Sequence, residues 1–433
     1  MEGLPSELDY FEKQAIQTAI ISEYDQDHIP HSGLQPGAPI EFLIEGAPEH
    51  YLDLNDSKLE LKCKITKENG DTLGDQNHVG PVNLLLHSLF SNIEMEVCRK
   101  QVTEPGQLYS LRSYLETLLN FESNTLNTRH LMEGWEKDTS GQLADTDANK
   151  GDANDGLRKR AARFKGSKVV TLIGRPHLDL FHQDKLIPGD QDIKIRLLPN
   201  NHKWVLKSAA PADRDPQVNY KLEILNARLF IRTKQVSKSL ANAHIEMLRK
   251  GNNYHIDFTK VSMKQLQIPQ GVNTMHFDGV YSGVVPDRVI VCFIRDDALA
   301  GSYTLNPFNL EHYNVNYLVL KVNGEQFPRL AFEPDFKKGD YFREYFSTLE
   351  ALGYHTGQQM IDLKPEEWAN GYTFFAFKLT PGPIGQVRSI PKHGSVRLEL
   401  KFAEPTPRNI SAILLAQQPA ALEIDKFGNA ILP

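Results

Sequence analysis

Cysteine is scarce in this chain: Cys63, Cys98 and Cys292 are the only three in 433 residues. Three thiols cannot build a disulfide framework, and an odd count suits a reducing compartment. No window reaches the ~18 consecutive apolar residues of a membrane span, so none is expected. The start, MEGLPSELDYFEK, lacks the basic head and apolar run of a secretory signal, so synthesis in the cytoplasm is expected. An excess of positive charge is missing too. Forty-eight basic against 55 acidic side chains leave −7, which argues against a nucleic-acid binder that works by overall charge, and against sequence-specific recognition. No His-Glu-x-x-His, Gly-x-x-x-x-Gly-Lys or Gly-x-Ser-x-Gly occurs, so the familiar metalloprotease, nucleotide-binding and hydrolase signatures are absent. Apolar residues make up 40%, ample for full-sized cores, and the length suggests two or three domains or two large β units.

What is present alternates with period two. Leu59, Leu61, Cys63 and Ile65 alternate with Glu60, Lys62 and Lys64, as in an antiparallel strand with one buried and one wet face. Ile40, Phe42 and Ile44 begin the series. Further runs lie at Asn92–Val97, Lys168–Ile173, Asp192–Leu197, Lys221–Arg232 and His255–Met263, and continue to Ile410–Ala416. Short strands parted by Pro, Gly and Asn-rich turns indicate sandwiches or barrels, and the fold class read here is mostly β. Four helices are expected: Gln107–Asn120, with Leu108, Leu111, Leu115, Leu118 and Leu119 on one face; Asp340–Leu352, with Phe342, Tyr345, Phe346, Leu349 and Leu352; Lys238–Lys250; and a weaker Glu7–Ile21.

The two halves echo each other. Pro81-Val82-Asn83-Leu84 matches Pro307-Phe308-Asn309-Leu310, and the strands Ile93–Val102 and Leu318–Phe327 follow. Next, Arg112, Tyr114, Thr117 and Leu118 match Arg343, Tyr345, Thr348 and Leu349 in a shared Arg-x-Tyr-x-x-Thr-Leu, and the three matches are offset by 225–231 residues. A fourth match, Asp192–Leu197 with Ser395–Leu400, keeps the same order. This is a duplicated β domain with one helix inserted in each copy. Two eight-stranded copies with long insertions point to a double jelly roll, each roll closing two four-stranded sheets on one core. Tyr114 and Tyr345 are expected to pack their helices on the sheets with the hydroxyls reaching partners.

Candidate sites are few. Arg158, Lys159, Arg160, Arg163 and Lys165, with Lys168, form the one dense basic cluster, suited to DNA or an acidic neighbour, or else balancing the acidic loop before it. That loop, Lys137 to Gly156, is so polar that it reads as solvated, like Ser208–Gln217. Asp145-x-Asp147-x-Asn149-x-Gly151 resembles the start of a calcium loop, but its glycine is one position late and Gly156 stands where a Glu is required. His177 and His182 with Asp179 and Asp184 suggest a metal, yet no further ligand is close in sequence, so they read as hydrogen-bonded core histidines. Cys98 beside Arg99 and Lys100 has no base and reads as a structural thiol. No catalytic residue, metal or cofactor is expected.

Several runs are family-specific: VGPVNLLLHSLFSNIEMEV (79–97), YSLRSYLETLLNF (109–121), VVTLIGRPHLDLFHQDKLIP (169–188), IKIRLLPNN (193–201) and GSYTLNPFNLEHYNVNYLVLKVNGEQ (301–326). Over about Pro39 to Ala416 the chain resembles the major capsid proteins of Polinton (Maverick) elements and related adinto-type viruses. The resemblance implies a non-enzymatic double jelly-roll subunit of a virion capsid. Three chains would form a pseudo-hexagonal capsomer, and capsomers would tile an icosahedral shell around double-stranded DNA. Its partners would be itself as a homotrimer, neighbouring capsomers and a penton-type minor protein, with synthesis in the host cytoplasm and nuclear assembly an option. The expected division is an arm over 1–38, a first roll over 39–236, a connecting helix over 237–252, a second roll over 253–418 and a tail over 419–433. The rivals are a penton-type minor capsid protein, for which a duplicated unit is too long, and a glycan-processing or glycan-binding double jelly roll, which needs convergent carboxylates in a cleft between the units.

Overall fold

The computed structural model describes residues 16–75, 77–148, 154–208, 219–356, 361–381 and 391–432. Among them the first roll comprises β1 (Ile20–His28), β2 (Ile40–Ile44), β3 (His50–Lys67), β4 (Phe90–Val97), β5 (Lys100–Gln101), β6 (Val170–Gly174), β7 (Ile193–Pro199) and β8 (Tyr220–Val236). The second comprises β9 (Tyr254–Ile268), β10 (Thr274–Val284), β11 (Arg288–Arg295), β12 (Val315–Val322), β13 (Glu325–Phe332), β14 (Phe374–Lys378), β15 (His393–Phe402) and β16 (Ile410–Ile424). The sheets of the first roll run β1-β8-β3-β6 and β2-β7-β4-β5. Those of the second run β9-β16-β11-β14 and β10-β15-β12-β13, the same order eight strands later. All these pairings are antiparallel. The chain is mostly β and folds as a double jelly roll, and the repeat read in the sequence is a repeat of topology.

The inserted helices occupy one connection in both rolls, after β5 and after β13. These are α1 (Tyr109–Asn120) and, after α2 (Asp155–Arg163) and α3 (Lys238–Arg249), α4 (Phe342–Leu352). Helix α1 is more enclosed than an amphipathic pattern implies: Tyr109 to Leu119 are all buried. Its polar residues are tolerated inside because Arg112 pairs with Glu116 (2.9 Å) and Asp179 (2.5 Å). Helix α4 faces differently from its expected stripe. Tyr345, Thr348, Leu349 and Leu352 are buried, whereas Phe342 and Phe346 are about half exposed at 54% and 51%.

The expected boundaries need correction at both ends. Residues 20–28, assigned to an arm apart from the β core, form edge strand β1, paired with β8 from Ile20↔Val236 to His28↔Leu229. Its acidic side chains lie against basic neighbours: Asp25 pairs with Lys58 (2.6 Å) and Arg232 (3.2 Å). The 418/419 boundary falls inside β16, which runs on to Ile424 and pairs with β9 throughout. Most of the expected Glu7–Ile21 helix lies outside the described residues, and its end, Ile20 and Ile21, is strand.

Most buried apolar residues from Ile40 to Ile424 form one contiguous cluster that spans both rolls, with a small satellite at Tyr51, Val236 and Ala241. The polar stretch after Lys137 helps to join them. Asp138, Leu143, Thr146 and Ala148 are buried, against the expectation of a solvated loop, because their polar groups are met inside the protein: Tyr372 OH and Asn306 Nδ2 of the second roll donate to Asp138 O (2.6 Å) and Leu143 O (3.1 Å), and Thr146 Oγ1 donates to Ser208 O (3.2 Å). The calcium-like run reaches Asn149 and Gly151, outside the described residues.

Candidate functional site

The basic cluster is divided by the fold. Asn154 caps α2 through its side chain, which accepts from Leu157 N, and the helix then turns Arg160 inward and Arg158 and Lys159 outward. Arg160 is 2% exposed. It donates to Pro81 O (2.9 Å), Glu136 O (2.7 Å) and Asp138 Oδ1 (2.7 Å). Arg163 pairs with Glu136 (2.6 Å), while Arg158 and Lys159 share Asp155, and Lys165 meets Asp75 (3.0 Å) at the surface. Two of the five cations therefore hold the protein together, and the other three are exposed ion pairs of small energetic weight.

Of the repeat-related residues, Tyr114 lies at the junction of the rolls, while Arg343 and Tyr345 bond within the second roll. Tyr114 stacks on Phe308 (ring centroids 4.0 Å apart) and on Trp135 (5.7 Å), and Trp204 meets Phe308 edge-on (5.5 Å). Phe308, a second-roll residue, thus fills the space under the first roll's helix. In the second copy Tyr345 meets Trp368 (6.0 Å) and donates to Leu363 O (2.7 Å), as expected. The Tyr114 hydroxyl, by contrast, has no hydrogen-bond partner among the described residues. Lys137 bridges to Glu367 (3.0 Å) and Asp362 O (2.6 Å). Gly371, at φ +103°, lets the chain pass Leu143, whose Cδ1 would be 2.6 Å from an added Cβ.

A buried polar nest lies at the end of the first roll. His177 stays beside its expected partner His182 (ring centroids 5.6 Å apart), with Glu116 close to both, and it also meets His87, in the turn Leu85–Ser88, and Glu133, in the short helical turn Arg129–Glu133. His177 Nδ1 lies 2.6 Å from Glu116 Oε2, and His130 Nδ1 lies 2.8 Å from Glu133 Oε2. His87 Nδ1 lies 2.9 Å from the Tyr109 hydroxyl. Burial pushes His87 down to about 4, so its imidazole is neutral near pH 7. Burial alone would push Glu116 up, but Arg112 and His177 outweigh it and hold the carboxyl well below its ordinary range. Glu133 is likewise held low against burial by His130 and His87. Asp179 belongs elsewhere, bonding Arg112 and accepting from Val261 N (3.3 Å) of the second roll. Sequence reasoning passed over His87 and Glu133, the first because it sits in the apolar run Leu84–Phe90, the second because nothing near it resembles a ligand motif.

Cys98 is a partly buried thiol whose Sγ lies 2.6 Å from Gln191 Oε1; burial, then Asp190 and Asp192, push it up to about 11. That is the reverse of an activated nucleophile.

No protein-family model matches the chain. An uncharacterised protein of Caenorhabditis elegans is 21% identical over 427 residues, covering 93% of this chain and 94% of that one. Among solved structures, a chain of the Sputnik virophage superposes with a TM-score of 0.65 at 11% identity, covering 100% of this chain and 92% of that one. The Faustovirus major capsid protein gives 0.57 at 9% identity over 95% and 92%, and the mavirus major capsid protein 0.54 at 10% over 100% and 95%. The likeness runs through both rolls, and the fold of this chain is the double jelly roll that these viral capsid proteins share.

Proposed function

We propose that this chain is the major capsid subunit of a double-stranded DNA virus or Polinton/Maverick-type element, and that its activity is self-assembly. The observation that carries the reading is the duplicated strand order, fused over one core. A rigid body with two pseudo-equivalent halves, repeated around a threefold axis, presents six similar sides. Quasi-hexagonal tiling then needs one gene product, with heterologous contacts closing the trimer and weaker contacts joining trimers. Solved proteins of the same architecture include two named as major capsid proteins, which supports the role. The reading places the protein in the virion, with neighbouring capsomers and a penton-type minor protein as partners.

The glycan-processing alternative draws less support. The junction does hold a cavity of about 470 Å3 with Glu311 and Glu404 in its wall. Glu311, however, accepts from Asn309 Nδ2 (2.7 Å) and Glu404 pairs with Lys337, so both carboxylates are already engaged. The deciding experiment is multi-angle light scattering of the purified chain followed by negative-stain imaging. A species of about three times 49.0 kDa with a hexagonal outline, or closed particles, is the expected result. A monomer that persists across pH and salt would refute the reading.

A further inference from the structure

The nest in the first roll has the composition and spacing of a metal site. His87, Glu133 and His177 are 1%, 4% and 4% exposed, and one ligand atom from each lies within 4.8 Å of the others. His87 Nε2 and Glu133 Oε2 are 3.4 Å apart. Two donors bound tetrahedrally to zinc at its usual bond lengths stand about 3.4 Å from each other. Although Glu133 Oε2 is this close, His87 Nε2 forms no hydrogen bond with it and is buried unsatisfied, an arrangement that costs free energy unless something else bridges the two.

The surrounding groups prepare these donors. Glu116, a carboxylate, can only accept from His177 Nδ1, which leaves the Nε2 lone pair free; the Thr117 hydroxyl 3.3 Å from that nitrogen is the group a cation would displace. Arg129 donates to His130 Nε2, so His130 carries its proton on Nδ1 and donates to Glu133. With a cation present, His87 carries its proton on Nδ1 and donates to the Tyr109 oxygen. A carboxylate behind one ligand histidine and a hydrogen bond behind each other ligand is the usual outer shell of a protein metal centre. Of the nearby arginines, Arg112 is neutralised by Glu116 and Asp179, Arg175 donates to Asn55 and Arg129 to His130. A cavity of about 340 Å3 with Glu133 and His177 in its wall opens the nest to water.

The second roll repeats neither the ligand His87 nor the supporting Glu116. By the offsets of the repeat, Tyr313 stands where the first roll has His87, and Ser347 where it has Glu116. We propose that His87, Glu133 and His177 bind one divalent ion of the zinc class, with water completing the coordination from the cavity, and that the ion ties three distant segments of the first roll together. This inference does not depend on the capsid reading.

The test uses the full chain, stripped with a chelator and titrated with Zn2+ by calorimetry and with Co2+ by absorption. About one ion per chain and the intense visible bands of tetrahedral cobalt are expected. The His87→Gln/His177→Gln variant should lose both signals, and Glu116→Gln should weaken binding by about 10–100-fold. A cobalt spectrum of the unmodified chain that stays that of the hydrated ion would overturn the proposal, whatever the variants do. Uptake unchanged in a folded His87→Gln/His177→Gln variant would overturn it equally.

Discussion

Replacing Arg160 by alanine separates a joint from a charged patch. The guanidinium makes three hydrogen bonds, two to carbonyls and one to Asp138, whose side chain has no exposed surface. Truncation leaves that carboxylate buried and uncompensated beside two carbonyl oxygens that lose their donor. Breaking a buried pair from one side costs about 3–5 kcal/mol. Arg160→Lys keeps the charge but not the planar fork, so an intermediate loss is expected. Arg160→Met with Asp138→Leu removes both charges and should recover much of the deficit. Arg158→Ala and Lys159→Ala, on the exposed side of the same helix, should each stay within about 0.5 kcal/mol of the parent. Urea unfolding followed by tryptophan emission suits the question, because Trp135, Trp204 and Trp368 are all buried at or near the joint. An Arg160→Ala loss below about 1 kcal/mol, or an equal loss from Arg158→Ala, would refute the reasoning.

Three further outcomes are expected. Phe308→Ala should cost about 3–5 kcal/mol in the same assay, since the ring is fully buried between Tyr114 and Trp204. Burial pushes the Lys207 ammonium down to about 7, while the unfolded chain keeps its proton to about 10.4. Between those values the unfolded state binds more protons, so stability should rise with pH from 7 towards 10, and Lys207→Met should remove that part of the slope in unfolding curves measured across the range. Gly189→Ala would place a Cβ 1.9 Å from His50 O and 2.4 Å from Ala47 O, whereas an added Cβ at Gly106 meets nothing within 4 Å. Thermal melts should show a loss of about 1–3 kcal/mol or more for the first and little change for the second.

Strands with one wet and one dry face were legible: β3 declares itself through Leu59, Leu61, Cys63 and Ile65. The repeat was legible because both rolls need the same turn before the fourth strand and the same helix after the fifth. β1 was not, since it lies exposed at a sheet edge and its acidic residues make sense only beside Arg232 and Lys58. The stretch after Lys137 misled for a related reason. Composition registers polar groups, and a polar group bonded across an interface looks the same in sequence as one bonded to water. In α4 the spacing of Phe342, Tyr345, Phe346 and Leu349 covers too wide an arc for one buried stripe, and packing chose among them. His87, Glu133 and His177 lie 46 and 44 residues apart, a separation that only the folded chain closes.

Phe308 under Tyr114 also bears on history. A tandem duplication begins with two units that can each close their own surface. Here one copy supplies a ring that fills the other's interior, and the first copy's polar stretch satisfies side-chain groups of the second and, through Lys137, the Asp362 carbonyl. Each such exchange raises the cost of living apart. A half-chain cut at α3 would expose the bed of Phe308 on one side and strand the Tyr372 hydroxyl on the other. The fusion therefore works as a ratchet: descendants can diverge in loops and helices, but a return to free single units would require both cores to be rebuilt at once.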